Sequence, residues 1–249
     1  MTGSATPSRP EGRAARHAAL LTIVALGDST TAVADWTDQV DEVYADLLPA
    51  ALAACGIRAQ VHNAGLGDTT TREARERLDR DVRAFSPDLV VIQFGINDSW
   101  IDADEGRRKP RLTRDEFRDN LRYLIHALNA VGAQVVLMTP NPMRWSDPFY
   151  LEVFQKNPTL LDTGSERGIN DLLDLYAQDA RDVAREEATA LVDVHQAFEE
   201  YGRRPGRSIH DLLMEGDGIH PSARGQLLVS ELLAAKIADC EGSRRQPTA

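Results

Sequence analysis

The chain has 249 residues, a length typical of a single α/β domain with a sizeable core. Hydrophobic residues make up 42% of it and charged residues 27%, which excludes a disordered or fibrous protein. The formal net charge of −11 argues against nucleic-acid binding, which needs clustered Lys and Arg, and disfavours stable association with anionic membranes.

The two ends of the chain differ in composition from the part between them. Residues 1–17 are rich in Ser, Pro, Gly and Arg, and residues 241–249 are similar, so both are predicted to be disordered tails. Residues 18–240 contain no internal repeat and no sign of a second domain. We therefore expect a single domain over these residues.

The first apolar run, residues 21–26, permits two interpretations. Arginines within residues 9–16 precede it, and the small residues 32–34 resemble the cleavage site of a secretory signal peptide. The same run is also typical of a buried strand that delivers the tripeptide Gly-Asp-Ser, residues 27–29, at its carboxyl end. The motifs that follow decide between the two.

Five apolar runs alternate with helical patterns along the chain. The runs are rich in β-branched residues and nearly continuous, as expected of parallel strands covered on both faces. They span residues 21–26, 57–61, 89–94, 134–138 and 190–194. The alternation predicts an α/β fold, in which a parallel sheet with right-handed crossovers carries helices on both faces.

Two amphipathic stripes predict helices between these strands. Their apolar residues recur every three or four positions, which places them on one face of a helix. The first stripe is Ala74, Leu78, Val82 and Phe85, and the second is Phe117, Leu121, Leu124, Leu128 and Val131. Thr113 and Glu116 form a capping-box signature at the start of the second helix.

Polar and glycine-rich segments follow the predicted strands. In a parallel sheet, functional residues lie outside the carboxyl ends of the strands. "GDST" follows the first strand, "NAGLGDTT" the second and "GINDSW" the third, while "EGDGIHPSARG" follows the fifth after a helical stretch. We expect a functional site where these segments meet.

Acyl transfer to water by a serine needs a nucleophile, a base in the right tautomer and donors for the oxyanion. Ser29 is the candidate nucleophile, and His220 is the candidate base. Asp217, three residues before His220, is placed to accept the Nδ1 proton of the imidazole. Gly67 and Asn97 are candidate oxyanion donors, through a backbone N–H and a side-chain amide. Singly, each of these residues also fits an ordinary turn or capping role.

Two further acids, Asp28 and Asp98, stand next to these candidates in the sequence. Side chains of this type favour local hydrogen bonds to the backbone. We therefore expect both to brace their loops rather than to take part in chemistry.

Taken together, the four segments resemble the SGNH or GDSL hydrolase family. "GDST" resembles the first block of that family, "NAGLGDTT" the second, "FGIND" the third and "DGIHPSARG" the last, and all four occur in order. The similarity spans residues 21–238. It implies a three-layer α/β/α, flavodoxin-like fold of about five parallel strands.

The resemblance also implies a function and a site. The expected function is that of a serine esterase with no metal or organic cofactor. The expected catalytic triad is Ser29, His220 and Asp217. The expected oxyanion hole consists of the backbone N–H groups of Ser29 and Gly67 together with the Asn97 side chain.

The first block resolves the ambiguity over residues 21–26. Cleavage after Ala34 would remove the first strand and Ser29 together, leaving the other three blocks without a nucleophile. We therefore expect the segment to be retained and the protein to be cytoplasmic, with export as the alternative.

The connection after the fourth strand bears on the substrate. Residues 139–167 are too long for an ordinary connection, so we expect them to form a substrate wall or lid. Trp100, Met143, Trp145 and Phe149 are candidate lining residues, with packing against the core as the alternative. The family's substrates include sugar acetates, short esters, lysophospholipids and thioesters. No long apolar stripe suits a fatty chain, which favours a small-molecule ester with a short acyl group such as acetate.

Three other interpretations stay open. One is a lysophospholipase or thioesterase of the same family. A second is a metal-dependent hydrolase that uses Asp28, His210, Asp217 and His220. A third is a non-catalytic ligand-binding module on this fold. The sequence carries no signature of the oligomeric state.

Overall fold

The computed structural model describes residues 20–33, 37–102, 105–144 and 167–245. Within these residues, five strands form one sheet: β1 Leu21–Gly27, β2 Ala59–Gly65, β3 Leu89–Gln93, β4 Gln134–Met138 and β5 Ala190–Val192. The strand order is β2-β1-β3-β4-β5, and every neighbouring pair is parallel. The predicted parallel α/β fold is confirmed.

Helices cover both faces of the sheet. The described α-helices are α1 Tyr44–Ala54, α2 Thr71–Glu76, α3 Leu78–Asp81, α4 Ile96–Ser99, α5 Arg114–Asn129, α6 Asn170–Glu186, α7 Val194–Gly202 and α8 Ala223–Arg245. Short 3₁₀ turns lie at Arg83–Phe85 and Ile209–Leu212. None of the helices in the described ranges is long and apolar enough to cross a membrane.

Alternate residues of the central strands bury into two separate apolar cores. On β1, Ile23 and Ala25 pack with α1, α7 and α8, whereas Val24 and Leu26 pack with α2, α3, α5 and α6. Because successive side chains of a strand point to opposite faces, a strand covered on both sides must be apolar throughout. This is why β1 and β3 read as continuous apolar runs.

The second strand lies further along the chain than the sequence predicted. The apolar run predicted residues 57–61, whereas β2 spans Ala59–Gly65 and includes Gln60, His62 and Asn63. β2 is an edge strand of the sheet, and most of its residues are only half-buried. A half-exposed strand accepts polar residues, so apolar continuity does not mark its end.

The first predicted helical stripe is only partly buried. Ala74, Leu78 and Val82 lie in the core, but Phe85 is 43% exposed and stacks on His62 with ring centroids 4.2 Å apart. The chain here breaks into α2, α3 and a 3₁₀ turn. That break rotates the end of the stripe away from the sheet.

The second stripe follows the prediction except at its end. Thr113 caps α5, its hydroxyl accepting the Glu116 N–H at 3.2 Å, and the first four apolar residues of the stripe are buried. Val131 is 55% exposed because α5 ends at Asn129 and the chain turns before β4.

The last helix, α8, extends further toward the carboxyl end of the chain than the composition predicts. Residues 241–245 were predicted to belong to a disordered tail, yet they form the last turn of α8. The helix there propagates from a packed segment, and the Ser243 hydroxyl donates to the Asp239 carbonyl at 2.9 Å. The predicted tail of residues 1–17 and residues 246–249 lie outside the described ranges.

Candidate active site

Ser29 lies in a tight turn directly after β1, an inner strand of the sheet. The N–H groups of Thr31 and Ala32 donate to the Asp28 carbonyl at 3.1 and 3.0 Å and close the turn. The buried Asp28 carboxylate accepts from the Thr30 N–H and hydroxyl at 2.9 and 2.8 Å, as the predicted bracing role requires. The next described helix, α1, begins well downstream, so Ser29 caps no described helix.

A buried arginine holds the strand ends beneath this turn. Arg77 donates to the Gly27 carbonyl at 2.8 Å and to a β2 carbonyl at 2.6 Å. Burial raises the pKa of Asp28, although the hydrogen bonds from Thr30 and the nearby charges of His220 and Arg77 oppose that rise. The hydrogen bonds of Arg77 therefore hold the end of β1, from which the Ser29 turn continues.

Asp217 and His220 lie in a closed loop that precedes α8. The loop is tied at its base, where the Met214 N–H donates to the His220 carbonyl at 2.9 Å. Asp217 stands between Gly216 and Gly218, whose φ angles are 79° and 64°. Glycine adopts this left-handed conformation without steric cost, which lets the loop turn tightly around the carboxylate.

The structure brings Ser29, His220 and Asp217 together. His220 Nε2 lies 2.8 Å from Ser29 Oγ, and His220 Nδ1 lies 2.5 Å from Asp217 Oδ2. The other carboxylate oxygen accepts the N–H groups of Ile219 and His220 at 2.6 and 2.9 Å. Burial alone would raise the pKa of Asp217, but these hydrogen bonds and the charge of His220 hold it below its usual value.

Gly67 and Asn97 lie beside this row of side chains. A methyl group on Gly67 would stand 3.9 Å from Ser29 Cβ, so the glycine faces the serine. Asn97 donates one amide N–H to the Thr69 carbonyl at 3.0 Å, which orients the amide. Because an amide nitrogen carries two hydrogens, the second is left for the cavity that Asn97 lines.

Asp98 links two of the loops that surround the site. It accepts from the Thr71 N–H and hydroxyl at 2.9 and 2.6 Å and from the Gly95 N–H at 3.1 Å, as predicted for a loop-bracing acid. Burial raises its pKa to about 7, against the hydrogen bonds from Thr71, and the charge of Asp28 adds to the rise.

A cavity of about 390 Å³ opens above Ser29. Its lining consists of Ser29, Asp68, Ile96, Asn97, Trp100, Arg111, Ile219 and His220. Trp100 was among the predicted lining residues. The sequence did not point to Ile96, Ile219 or Arg111, and for Asp68 the only signal was its place directly after Gly67.

Met143, another of the predicted lining residues, is not part of this wall. Met143 is 3% exposed and packs with Ile96 and Leu173, behind the cavity. Its backbone N–H and carbonyl both bond to the Asn170 side chain, which holds it there. Trp145 and Phe149 lie outside the described residues, as does most of the predicted wall or lid.

The residues considered for a metal site do not form a cluster. Across the described ranges, no three His, Cys, Asp or Glu side chains are arranged to hold a metal ion. Asp28, His210, Asp217 and His220 therefore gain no support as a ligand set.

Known proteins share both the fold and the sequence family of this chain. The fold matches the crystal structure of a lipase/acylhydrolase from Enterococcus faecalis, with a TM-score of 0.67 and 27% identity, covering 88% of this chain and 96% of that one. The chain belongs to the GDSL-like Lipase/Acylhydrolase family, which it matches over residues 25–228. It is thus a carboxylic ester hydrolase that acts on small-molecule esters.

Two curated relatives cover most of the chain. An acetylxylan esterase from Geobacillus stearothermophilus is 28% identical over 192 residues, which is 77% of each protein. The uncharacterized lipoprotein YqeF of Bacillus subtilis is 30% identical over 220 residues, covering 84% of this chain and 86% of that protein.

Proposed function

We propose that this chain is a serine esterase that hydrolyses short-acyl esters through a covalent acyl-enzyme. The observation that carries the proposal is the position of the His220 ring between Ser29 Oγ, at 2.8 Å, and Asp217 Oδ2, at 2.5 Å. A neutral imidazole that donates a hydrogen bond from Nδ1–H to a carboxylate presents a lone pair at Nε2. That lone pair faces the serine hydroxyl.

In the first half-reaction, Ser29 Oγ bonds to the ester carbonyl carbon and its proton moves to His220 Nε2. The carbonyl π electrons become the oxyanion of a tetrahedral intermediate. When that intermediate collapses, the bond to the alcohol oxygen breaks, and the alcohol leaves with the proton from His220. Asp217 keeps the ring in place and stabilises its cation.

The oxyanion would be bound by the N–H groups of Ser29 and Gly67 and by the Asn97 amide. Support comes from the closeness of Gly67 to Ser29 and from the hydrogen bond that orients Asn97. A donor of this kind contributes roughly 2.7–4 kcal/mol to transition-state stabilisation in hydrolases.

In the second half-reaction, water attacks the acyl-enzyme. His220 takes a proton from the water and returns it to Ser29 Oγ as the acid is released. The cycle consumes one water and yields one acid and one alcohol. His220 acts twice, first as base and then as acid in each half.

The proposed substrates are acetyl esters, including those of sugars. The cavity of about 390 Å³ is small among ligand pockets, and its described apolar wall consists of Ile96, Trp100 and Ile219. Similarity to an acetylxylan esterase adds support. A lysophospholipase or thioesterase role would need a longer apolar surface for its acyl chain.

A kinetic panel tests this proposal. The panel pairs p-nitrophenyl esters of rising acyl length with acetylated xylose and glucose, assayed on the wild type, on Ser29→Ala and on the matched control Ser243→Ala. We expect kcat/KM to be highest for acetate and to fall by about 10⁴-fold or more in Ser29→Ala only. Undiminished activity in Ser29→Ala would contradict the proposal, and a maximum at long chains would favour the lysophospholipase or thioesterase role.

A further inference from the structure

A second cavity adjoins the one above Ser29. Its volume is about 620 Å³, and Asp68 and Arg111 line both cavities, so the two share a wall. The second cavity carries five cationic side chains: Arg72, Arg107, Arg108, Lys109 and Arg111. We call it the basic cleft. It stands out in a chain whose net charge is −11.

Most of the carboxylates in the basic cleft are already engaged. Glu73 accepts the N–H of the Thr70 cap at 2.8 Å, and its pKa lies below the usual value because hydrogen bonds from Thr70 outweigh the effect of burial. Asp68 and Asp102 both bind Arg111, at 2.5 and 2.8 Å. Asp68 and Asp102 together outweigh the charge of Arg111, and Glu73 stays ionised, so the five cations lining the cleft exceed its three carboxylates by two charges.

The neighbouring cations keep their charge. Arg108 and Lys109 are exposed and make no hydrogen bond or ion pair with any other described residue. Arg107 approaches Glu105 at 3.5 Å, but both side chains are about two-thirds exposed, at 67% and 64%. An ion pair of that kind contributes little. Arg72 is paired with Glu116 at 2.5 Å, whereas the adjacent cations Arg107, Arg108 and Lys109 have only the weak contact with Glu105 as a direct counter-charge among the described residues.

Such a cleft attracts an anion. Clustered charge of one sign in a concave surface raises the local concentration of the opposite ion. The guanidinium fork matches the planar geometry of a carboxylate and the oxygens of a phosphate, and a lysine adds a mobile point charge. The proximity of the cleft to Ser29 makes part of a bound ester the natural source of that anion.

We propose that the basic cleft binds an anionic group, a carboxylate or a phosphate, on the alcohol portion of the ester substrate. The inference rests on the proposed function, because an acetyl group ends in a methyl beside Ser29. Any group that reaches the second cavity then belongs to the alcohol. The substrates this predicts are acetylated acidic sugars rather than neutral ones.

The test compares matched acetylated glycosides. The carboxylate probe is an O-acetylated methyl glucuronoside, the phosphate probe is the methyl glucoside 6-phosphate with the same acetyl group, and the neutral reference is the acetylated methyl glucoside. Each is assayed on the wild type, on the double variant Arg108→Gln/Lys109→Gln, and on the control Arg203→Gln/Arg204→Gln. The control removes two exposed charges at the far end of α7.

We expect the wild type to favour at least one charged glycoside over the neutral one by about three- to tenfold in kcat/KM, mainly through KM. That preference shrinks in 0.5 M salt, since the interaction is exposed to screening. It disappears in Arg108→Gln/Lys109→Gln and persists in the control. The more strongly favoured of the two charged probes identifies the anion.

Two outcomes would overturn the inference. One is equal kcat/KM for charged and neutral glycosides in the wild type. The other is an equal loss for all three glycosides in Arg108→Gln/Lys109→Gln, which would indicate a structural role. Calorimetric binding of the same compounds to Ser29→Ala is measured in parallel. If the wild type hydrolyses neither these glycosides nor p-nitrophenyl acetate, the proposed function fails, and this binding comparison still decides whether the cleft prefers an anion.

Discussion

Two histidine–aspartate pairs lie near the carboxyl end of the sheet, and their environments differ. His220 uses both ring nitrogens, with Asp217 at 2.5 Å on one side and Ser29 at 2.8 Å on the other, at the wall of a cavity. His195 Nε2 lies 2.9 Å from Asp174 Oδ1, but the contact lacks hydrogen-bond geometry, and His195 is buried and lines neither cavity above Ser29.

The difference shows what turns such a pair into a candidate catalytic site. The second pair joins two helices, because His195 lies in the first turn of α7 and Asp174 belongs to α6. The main-chain N–H of His195 donates to the Thr139 hydroxyl at 2.9 Å, and this bond anchors His195 to the end of β4. The first pair differs in two ways: His220 Nε2 contacts a serine hydroxyl, and the His220 ring lines a cavity.

The largest predicted effect comes from replacing each of the two histidines by glutamine in separate variants. His220→Gln removes the base for Ser29, so kcat/KM for p-nitrophenyl acetate should fall by about 10⁴-fold or more. His195→Gln should leave kcat/KM within about threefold and cost roughly 1–2 kcal/mol of unfolding free energy, because the side chain is buried. Comparable losses of activity in the two variants would contradict this contrast.

The same contrast applies to the aspartates. Asp217→Asn removes the charge that orients the ring and stabilises its cation, and we expect kcat to drop on the order of 10³–10⁴-fold. Asp174→Asn should keep kcat unchanged within about threefold. Circular dichroism on both proteins checks that the fold is retained, and a large drop in Asp174→Asn would show that the second pair is functional.

Much of the candidate site could be predicted because its signals are local. Each polar segment follows a buried strand, and parallel strands bring their carboxyl ends to one edge. The spacing of Asp217 and His220 within one turn is equally a short-range feature. Ser29 could be placed opposite them only because all four segments resembled one family.

The walls of the site could not be predicted in the same way. Arg111 reaches the cavity through ion pairs with Asp68 and Asp102, which come from different loops. Met143 lies in a long connection without helical or strand periodicity, so nothing in the sequence told its buried side from its exposed side. The approach of such segments depends on tertiary packing.

The pH dependence of activity also distinguishes the two histidine–aspartate pairs. The pKa of Asp217 lies below its usual value, so this carboxylate stays ionised as the pH falls. Any loss of activity on acidification should therefore occur in a single-proton step that does not come from Asp217, with kcat/KM falling about tenfold per pH unit. His195→Gln should show the same profile, and a displaced acid limb in that variant would count against the assignment.

The smallest effect concerns Asp98, which has no histidine partner and whose carboxylate bonds only to Thr71 and Gly95 among the described residues. Its folded pKa of about 7 exceeds the unfolded value near 3.8. Between these two pKa values the folded state binds more protons at Asp98 than the unfolded state does. The contribution of Asp98 to stability therefore falls as the pH rises through this range.

Asp98→Asn isolates that contribution. The advantage of the wild type over the variant in urea unfolding should be about 2–3 kcal/mol larger at pH 5 than at pH 8. The exposed change Asp38→Asn serves as the control and should show no such difference. An advantage that is constant with pH would mean that Asp98 is already ionised at pH 5.

Covalent labelling shows whether Ser29 is the reactive nucleophile. The wild type is treated with a fluorophosphonate, and intact mass and peptide mapping locate the adduct, with Ser29→Ala and His220→Gln treated alongside. We expect one adduct, on the peptide that contains Ser29, with activity lost in proportion to labelling. We expect no adduct in Ser29→Ala and strongly slowed labelling in His220→Gln. Two outcomes would contradict the assignment of Ser29 as the nucleophile. One is a wild-type protein that stays unlabelled and fully active after treatment, and the other is an adduct on another residue that abolishes activity.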